Sequence, residues 1–441
     1  MRVAEVPGRA VSVAVMLLAA GAGSLAAQAP AAPPPQEVTL PEAIRRALEV
    51  EPAVVQARGD VRNAAVGEHA AWGAFLPTIS AGGASSQASA NRYNQATGQI
   101  VTVPTGSSYS GSVALSLDLF DGFRRFANRG AAAATADAAA AGLVSQRYQV
   151  ILETEQAFDS ASASEELVRV AEAQLKRAGQ QLQMVTDKLH AGSATRSDSL
   201  RAAVDLGNAR LSLLQAQANL ATAQASLGRR IGVEAAVRAV PDTALLAFPD
   251  TTGVRAVAVS RSPQVQQAEA QAKAAQAQVS AARSQYWPTL SASYRNGYTG
   301  FDAPWSTTQS YVNNWTLQFS LSWTLFNGFT REANQVAASV DRDVAEAHAA
   351  DLRRQTNAQV TQQLAALTTA ATQMDISRAN VAAASEDLRV QQQRYRVGVA
   401  TILDLLTSEA NLTQAEVSLV QARFGYLLAR ARLEALVGRS L

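Results

Sequence analysis

Cysteine is missing from all 441 residues, which excludes disulfides, thiolate metal sites, a thiol nucleophile and a lipid-bearing N-terminal Cys. Histidine is almost as scarce: His69, His190 and His348 stand far apart in sequence, and with no HExxH or paired arrangement a metal ion has no ligand set. After the N-terminal region no stretch supplies the ~20 continuous apolar residues of a membrane helix, so any crossing of a bilayer must use strands. Charge of one sign is lacking too. With 38 Lys and Arg against 36 Asp and Glu the net is +2, and nothing in that balance calls for nucleic acid as a partner. Serines are plentiful, but no nucleophile elbow with His and acid partners can be drawn. Gly82-Gly83 sits in a weak strand pattern and reads as a packing accommodation rather than a phosphate loop. No catalytic residue, no cofactor and no metal are expected, and the chain is not expected to be an enzyme.

What is present begins with an export signal. Arg2 and Arg9 precede an apolar run at 11–20, followed by Ser24-Leu25-Ala26 and Ala27-Gln28-Ala29. Residues 1–29 therefore read as a secretory signal peptide. Its removal takes away two positive charges and one negative, leaving +1. Residues 30–38 follow as a proline-rich, loose leader.

The rest of the chain is one plan written twice. Glu51-Pro52 and Phe75-Leu76-Pro77-Thr78-Ile79 recur as Ser262-Pro263 and Tyr286-Trp287-Pro288-Thr289-Leu290, an offset of 211. Leu119-Phe120-Asp121-Gly122-Phe123 recurs as Leu325-Phe326-Asn327-Gly328-Phe329, an offset of 206 that persists to Ile231-Gly232 and Val437-Gly438. The copies span 39–231 and 253–441, joined by a linker at 232–252. Each opens with a helix, marked in the first copy by Thr39-x-x-Glu42, a capping box with Pro41 in the first turn. Each helix ends at Pro77 or Pro288.

There the hydrophobic period drops to two. Val113, Leu115, Leu117 and Leu119 alternate with Ser112, Ala114, Ser116 and Asp118, and Trp315, Leu317, Phe319, Leu321, Trp323 and Leu325 alternate with Thr316, Gln318, Ser320, Ser322 and Thr324. One face is apolar and the other polar. A soluble sandwich gives the same alternation. Length and aromatic ends favour the membrane: Trp287, Phe120, Phe123 and Phe326 cluster at one end, Tyr109, Trp305, Tyr311 and Trp315 at the other. Strand pairs are expected at about 78–90 and 109–120, and again at about 289–298 and 314–326. Four strands cannot close a barrel, since membrane barrels start at about eight. An open edge in hydrocarbon leaves backbone groups unpaired, so strands must be pooled between copies.

After each aromatic-glycine turn comes a proline-free stretch rich in Ala, Gln and Leu, at 124–189 and 330–395. Each would be roughly 100 Å long as a helix. Val168, Leu175, Leu182 and Leu189 step by seven, as do Met374, Val381, Leu388 and Tyr395. The returning stretches repeat it with Leu206, Leu213, Leu220 and Leu227, then Leu412, Leu419, Tyr426 and Leu433. Such heptads predict supercoiled antiparallel hairpins. An ordinary periplasmic coiled-coil spacer shares that periodicity, and the attached strands argue against it. Gly192 and Gly398 fit the left-handed position at a helix end, which puts hairpin tips at 190–195 and 396–401.

In the doubled plan, the Pro-to-strand transitions, the Leu-Phe-x-Gly-Phe turns and the Gly-x-x-Thr-x-x-Asp tips, the chain resembles the TolC family of outer-membrane efflux factors over 39–441. The resemblance implies a mixed α and β membrane protein. Its homotrimer would form a twelve-stranded outer-membrane β-barrel continuous with a long periplasmic α-helical barrel, with an equatorial belt holding the linker. It implies a passive duct that exports small molecules, or alternatively one that serves protein secretion, in contact with outer-membrane lipid, a periplasmic adaptor and an inner-membrane transporter. By resemblance the adaptor would touch Gly192, Ser193, Ala194, Thr195, Gly398, Val399, Ala400 and Thr401. Tyr395 and Arg423 match family positions that bond to a carboxylate at Asp198, and Asp404 matches an acidic ring at the pore entrance. Pro77, Pro288, Phe120, Gly122, Phe326 and Gly328 would mark the membrane transitions. The chain departs from some members at Ala400, in place of a gating Arg, and at Thr407, in place of a second ring Asp. Read from the residues alone, Asp198 and Asp404 are equally first-turn helix acids near a positive N-terminus, and Arg423 a surface partner for a nearby acid.

Overall fold

The computed structural model describes residues 36–96, 98–240, 254–307 and 310–439. The expected signal peptide, residues 30–35 of the leader and 241–252 of the linker lie outside the described residues.

Each half opens with two helices where the hydrophobic pattern suggested one. Helix α1 (Leu40–Val50) stops at Glu51 and α2 (Pro52–Gly73) follows at once; α5 (Val254–Arg261) and α6 (Pro263–Arg283) are divided in the same way at Ser262. The cause is local. The proline ring disfavours α geometry in the residue before it, and Glu51 and Ser262 sit at ψ 124 and 121°. The capping box expected at Thr39 does not form. Thr39 occupies the N-cap with no side-chain bond, and the Glu42 carboxylate that would complete the box is taken by Arg46 one turn on, at 2.5 Å, a charge-assisted pair.

Strands β2 (Thr78–Asn94), β3 (Gln99–Phe120), β5 (Thr289–Gly300) and β6 (Tyr311–Ser322) form one antiparallel sheet in the order β2-β3-β5-β6. The first pair outruns its alternating pattern, with β3 starting at Gln99, while β6 ends at Ser322, short of the aromatic turn. Register aligns the apolar positions across the sheet: Ile79 opposite Leu115, Leu115 opposite Tyr294, Tyr294 opposite Leu317. A period of two then puts all of them on one face. That face is bare: Leu317, Phe319 and Leu321 of β6 are more than half exposed. A bulge between Asp118 and Phe120 turns Phe120 onto the same side as Leu290. No described helix is long and apolar enough to cross a membrane.

Two rods hang from the sheet. Helix α3 (Arg124–His190) and helix α7 (Thr330–Arg396) each run 67 residues, about 100 Å at 1.5 Å per residue. Each turns at its far end into a shorter return, α4 (Arg196–Arg230) or α8 (Ile402–Val437). The buried positions keep the seven-residue step: Val360, Leu367, Leu388 and Tyr395 on α7, Leu405, Leu412, Tyr426 and Leu433 on α8. On α3 one buried seven-residue stripe is small, Ala171, Ala178 and Val185, which lets neighbouring backbones approach closely.

Midway along the rods, β1 (Gln36–Val38) pairs in parallel with β4 (Val237–Ala239). The end of the expected loose leader is thus a strand. Val38 is its anchor, 1% exposed and packed with Phe158, Leu227 and Val237. Arg238 of β4 reaches Glu37 at 3.0 Å and Glu165 at 2.7 Å, and Arg230 reaches Glu51 at 3.1 Å and Glu153 at 2.5 Å.

Candidate functional site

Both hairpin tips obey the same local chemistry, which explains why Gly-x-x-Thr-x-x-Asp occurs twice. Gly192 and Gly398 adopt φ of 73 and 83°, the left-handed position that ends a helix. Beyond them the Ser193 amide donates to the Lys188 carbonyl at 2.8 Å and the Val399 amide to Arg394 at 2.9 Å, closing the last turn of α3 and of α7. Three residues on, Thr195 and Thr401 cap α4 and α8. Each threonine amide donates to the aspartate Oδ2 at 2.9 Å, each hydroxyl to the same oxygen at 2.7 Å, and each aspartate amide to the threonine Oγ1 at 3.2 Å. These are complete capping boxes.

Asp198 and Asp404 are therefore first-turn acids held by their caps. Bonds to Thr195, side chain first and then backbone, hold the Asp198 carboxyl below its ordinary range. For Asp404 the Thr401 backbone leads and its hydroxyl follows, with Arg394 adding to the effect. Tyr395 lies close by. Burial, and then the charge of Asp198, push its phenol up.

Arg423 is elsewhere. Its Nη1 donates to Glu166 Oε1 of α3 at 2.8 Å, some 22 residues up α8 from Thr401, roughly 33 Å along the helix. The expected bond from Arg423 to Asp198 is corrected accordingly: the rise of the helix carries the guanidinium out of reach, and Glu166 meets it first. A contact that sequence reasoning missed replaces it. Lys188 of α3 places its ammonium 4.2 Å from the centre of the Tyr395 ring and donates to the Tyr395 carbonyl, so a cation and an aromatic ring tie the two tips together. Around them Val185, Ala202, Leu388, Ile402, Leu405 and Leu412 make one buried cluster drawn from all four rod helices. Ala194 and Ala400 pack at its margin, while Gly192, Ser193, Thr195, Gly398, Val399 and Thr401 are exposed.

At the opposite end, Pro77 and Pro288 precede the first residues of β2 and β5. Gly122 and Gly328 are left-handed at φ 69 and 65°, and so are Phe123 and Phe329 after them, at 68 and 64°. Asp121 supports this turn by accepting from the Arg125 amide at 2.9 Å, and Asn327 by accepting from Arg331 at 3.4 Å. The turn aims the phenylalanines back at the strand ends. Phe120 and Phe123 meet edge to face at 5.3 Å, Phe326 and Phe329 at 5.4 Å, and Phe123 meets Trp287 at 6.3 Å. At the other rim Tyr109 meets Trp305 at 6.1 Å.

A sheet with one bare apolar face, carried on rod-length hairpins with paired tips, defines the class of outer-membrane efflux ducts. The chain belongs to the outer membrane efflux protein family, whose model matches residues 43–233 and 255–439. Among curated relatives it is 24% identical over 368 residues to the probable efflux pump outer membrane protein TtgC of Pseudomonas putida, covering 82% of this chain and 75% of that one. The antibiotic efflux pump outer membrane protein ArpC of the same species gives the same figures. In fold it is similar to a membrane protein from Pseudomonas aeruginosa, with a TM-score of 0.80 at 20% identity, 91% of this chain and 90% of that one. The CmeC outer membrane channel of Campylobacter jejuni aligns at 0.77 and 16% identity, over 90% and 85%. The open MtrE channel of Neisseria gonorrhoeae aligns at 0.74 and 21%, over 91% and 89%. The protein is an outer-membrane efflux protein and not an enzyme.

Proposed function

We propose that three copies of this chain close a twelve-stranded barrel in the outer membrane and continue it as a helical duct across the periplasm, passing small molecules outward. The observation that carries this reading is the four-stranded sheet. Among the described residues its edge strands β2 and β6 each pair on one side only, and its apolar face is bare. In hydrocarbon those edges require partners, and a symmetric ring of copies supplies them. The family name and the relatives named for antibiotic and toluene efflux favour small molecules as cargo. The two halves of the chain act as structural repeats of strand pair and hairpin.

The exposed tip residues Gly192, Ser193, Gly398 and Val399 are the surface for a periplasmic adaptor, which links the duct to an inner-membrane transporter. Asp404 lines the tip opening in three copies, a carboxylate ring that attracts cations, with Asp198 and Tyr395 beside it. Purified protein in planar bilayers should behave as a trimer with discrete conductance, and Asp404→Ala should weaken its preference for cations. A monomer that fails to partition into lipid would overturn the reading. Unchanged ion selectivity in Asp404→Ala would remove the ring.

A further inference from the structure

The seam between the two hairpins of a single protomer holds a set of charges that neither the tips nor the membrane collar uses. Helix α3 runs away from the sheet and α8 runs back, so they lie antiparallel, and three polar rungs cross their seam, carried on α3 by Glu155, Glu166 and Arg177 and on α8 by Arg430, Arg423 and Glu416. In the first rung Glu155 of α3 faces Arg430 and Glu434 of α8, with Asp159 one turn further along α3, and Arg430 Nε donates to Glu434 at 2.9 Å. In the second, Arg423 bonds Glu166 at 2.8 Å, with Arg169 at 3.9 Å behind it. In the third, Arg177 of α3 forks onto Glu416 of α8 at 3.3 and 2.9 Å and donates to Thr413 at 3.2 Å. Glu409, also on α8, stands 3.9 Å from Arg177 Nε.

The first and third rungs are unbalanced in the same direction. Each gathers three carboxylates about one guanidinium: Glu155, Asp159 and Glu434 with Arg430, then Glu409, Glu416 and Asp205 of α4 with Arg177. On α7, Asp387 accepts from the hydroxyl of Ser408, the residue before Glu409, at 2.6 Å. The third rung is also incompletely bonded. Glu409 Oε1, Arg177 Nε and the Gln181 amide nitrogen make no hydrogen bond, although Glu409 and Gln181 are only 6% and 4% exposed. A proton on Glu409 removes its repulsion with Asp205 and the cost of burying its charge.

We propose that the α3–α8 seam is a proton-operated clasp: proton uptake by Glu155, Asp159 and Glu409 locks the two hairpins of a protomer together, and proton loss loosens them. Burial is the first cause that pushes all three carboxyls up to about 7, helped at Glu155 by Glu434 and Asp159 and at Glu409 by Asp205. Because these values are raised in the packed state, the contribution is fully present below the ordinary carboxylate range and is lost as pH rises through about 7. The tips hang from these rods, so a loosened seam frees the four-helix tip cluster to rearrange. The clasp lies wholly inside one chain and does not depend on the cargo.

Hydrogen exchange on the assembled full-length protein in lipid, corrected for the intrinsic effect of pH, tests this directly. Amides of α3 and α8 along the seam should exchange about tenfold or more faster at pH 8 than at pH 6, since each unit of pKa displacement is a factor of ten in the coupled equilibrium. Glu155→Gln, Asp159→Asn and Glu409→Gln combined should abolish that step and hold the acid-form protection at both values. Asp205→Asn alone should move the midpoint of the Glu409 region to lower pH, which keeps the idea testable if the triple variant assembles poorly. Equal protection at pH 6 and 8 in the unsubstituted protein, faster exchange in acid, or a full step surviving in the triple variant would overturn the clasp.

Discussion

Gly122 and Gly328 occupy equivalent turns with nearly the same backbone, yet their surroundings differ. A Cβ at Gly122 would stand 2.6 Å from the Ser284 carbonyl oxygen and 2.8 Å from Trp287 Cβ, whereas at Gly328 it would meet nothing within 4 Å. Gly328→Ala should therefore cost only the left-handed backbone, roughly 1–2 kcal/mol, and Gly122→Ala measurably more, because the Ser284 backbone and the Trp287 Cβ must shift as well. Thermal unfolding of the assembled protein, read from the loss of its slow gel mobility, ranks the two; equal effects would contradict the packing at Gly122. The aspartates of the tips carry the opposite sign from the seam acids. Asp198 and Asp404 are held below their ordinary value by their caps, so their contribution is present above about pH 4 and lost as pH falls through the lowered value. Carbon NMR of the labelled carboxyls should find both still ionised at pH 4.

The caps decide how well each return helix begins. Thr195→Ala and Thr401→Ala each remove the acceptor for the aspartate amide and a donor to its carboxylate, and should cost about 1 kcal/mol apiece. Exchange of the first-turn amides of α4 and α8 should rise about fivefold in the respective variant, while the middles of the rods stay unchanged. A change spread evenly over the rods would mean that the tips are not independent units. The rods themselves follow from heptads. Small residues at Ala171 and Ala178 let a neighbouring backbone approach α3 closely.

For the whole molecule, the sheet makes the sharpest demand. Leu317 and Gln318 are neighbours on β6 and alternate between the bare apolar face and its reverse. Leu317→Arg puts a charge toward lipid and should destabilise assembly by about 2–4 kcal/mol near the bilayer midplane. Gln318→Arg faces the inside of the proposed barrel and should leave assembly intact. Heat-modified mobility of outer-membrane fractions separates the two, and equal tolerance would invert the face assignment. The same geometry accounts for the aromatic rims: Phe120, Phe123 and Trp287 touch at one end of the sheet, Tyr109 and Trp305 at the other.

Much of this was legible in the order of residues, because local rules govern it. Alternation at 113–119 and 315–321 fixes strands and their apolar face, the step of seven fixes the rods, and glycine followed by threonine and aspartate fixes each tip. Local rules also failed locally: proline at 52 and 263 divides helices that periodicity joins, and Arg46 draws Glu42 away from its cap. The left-handed Phe123 and Phe329 carry no signal of their own, since only the preceding glycine advertises the turn. What the tertiary structure alone decided are the partners of charges. Arg423 meets Glu166 across 257 residues of sequence, and Arg177 meets Glu416 across 239, because the rotation and register of one rod against another set which side chains face each other. That register is a property of packed volumes summed along two helices, and no single residue encodes it.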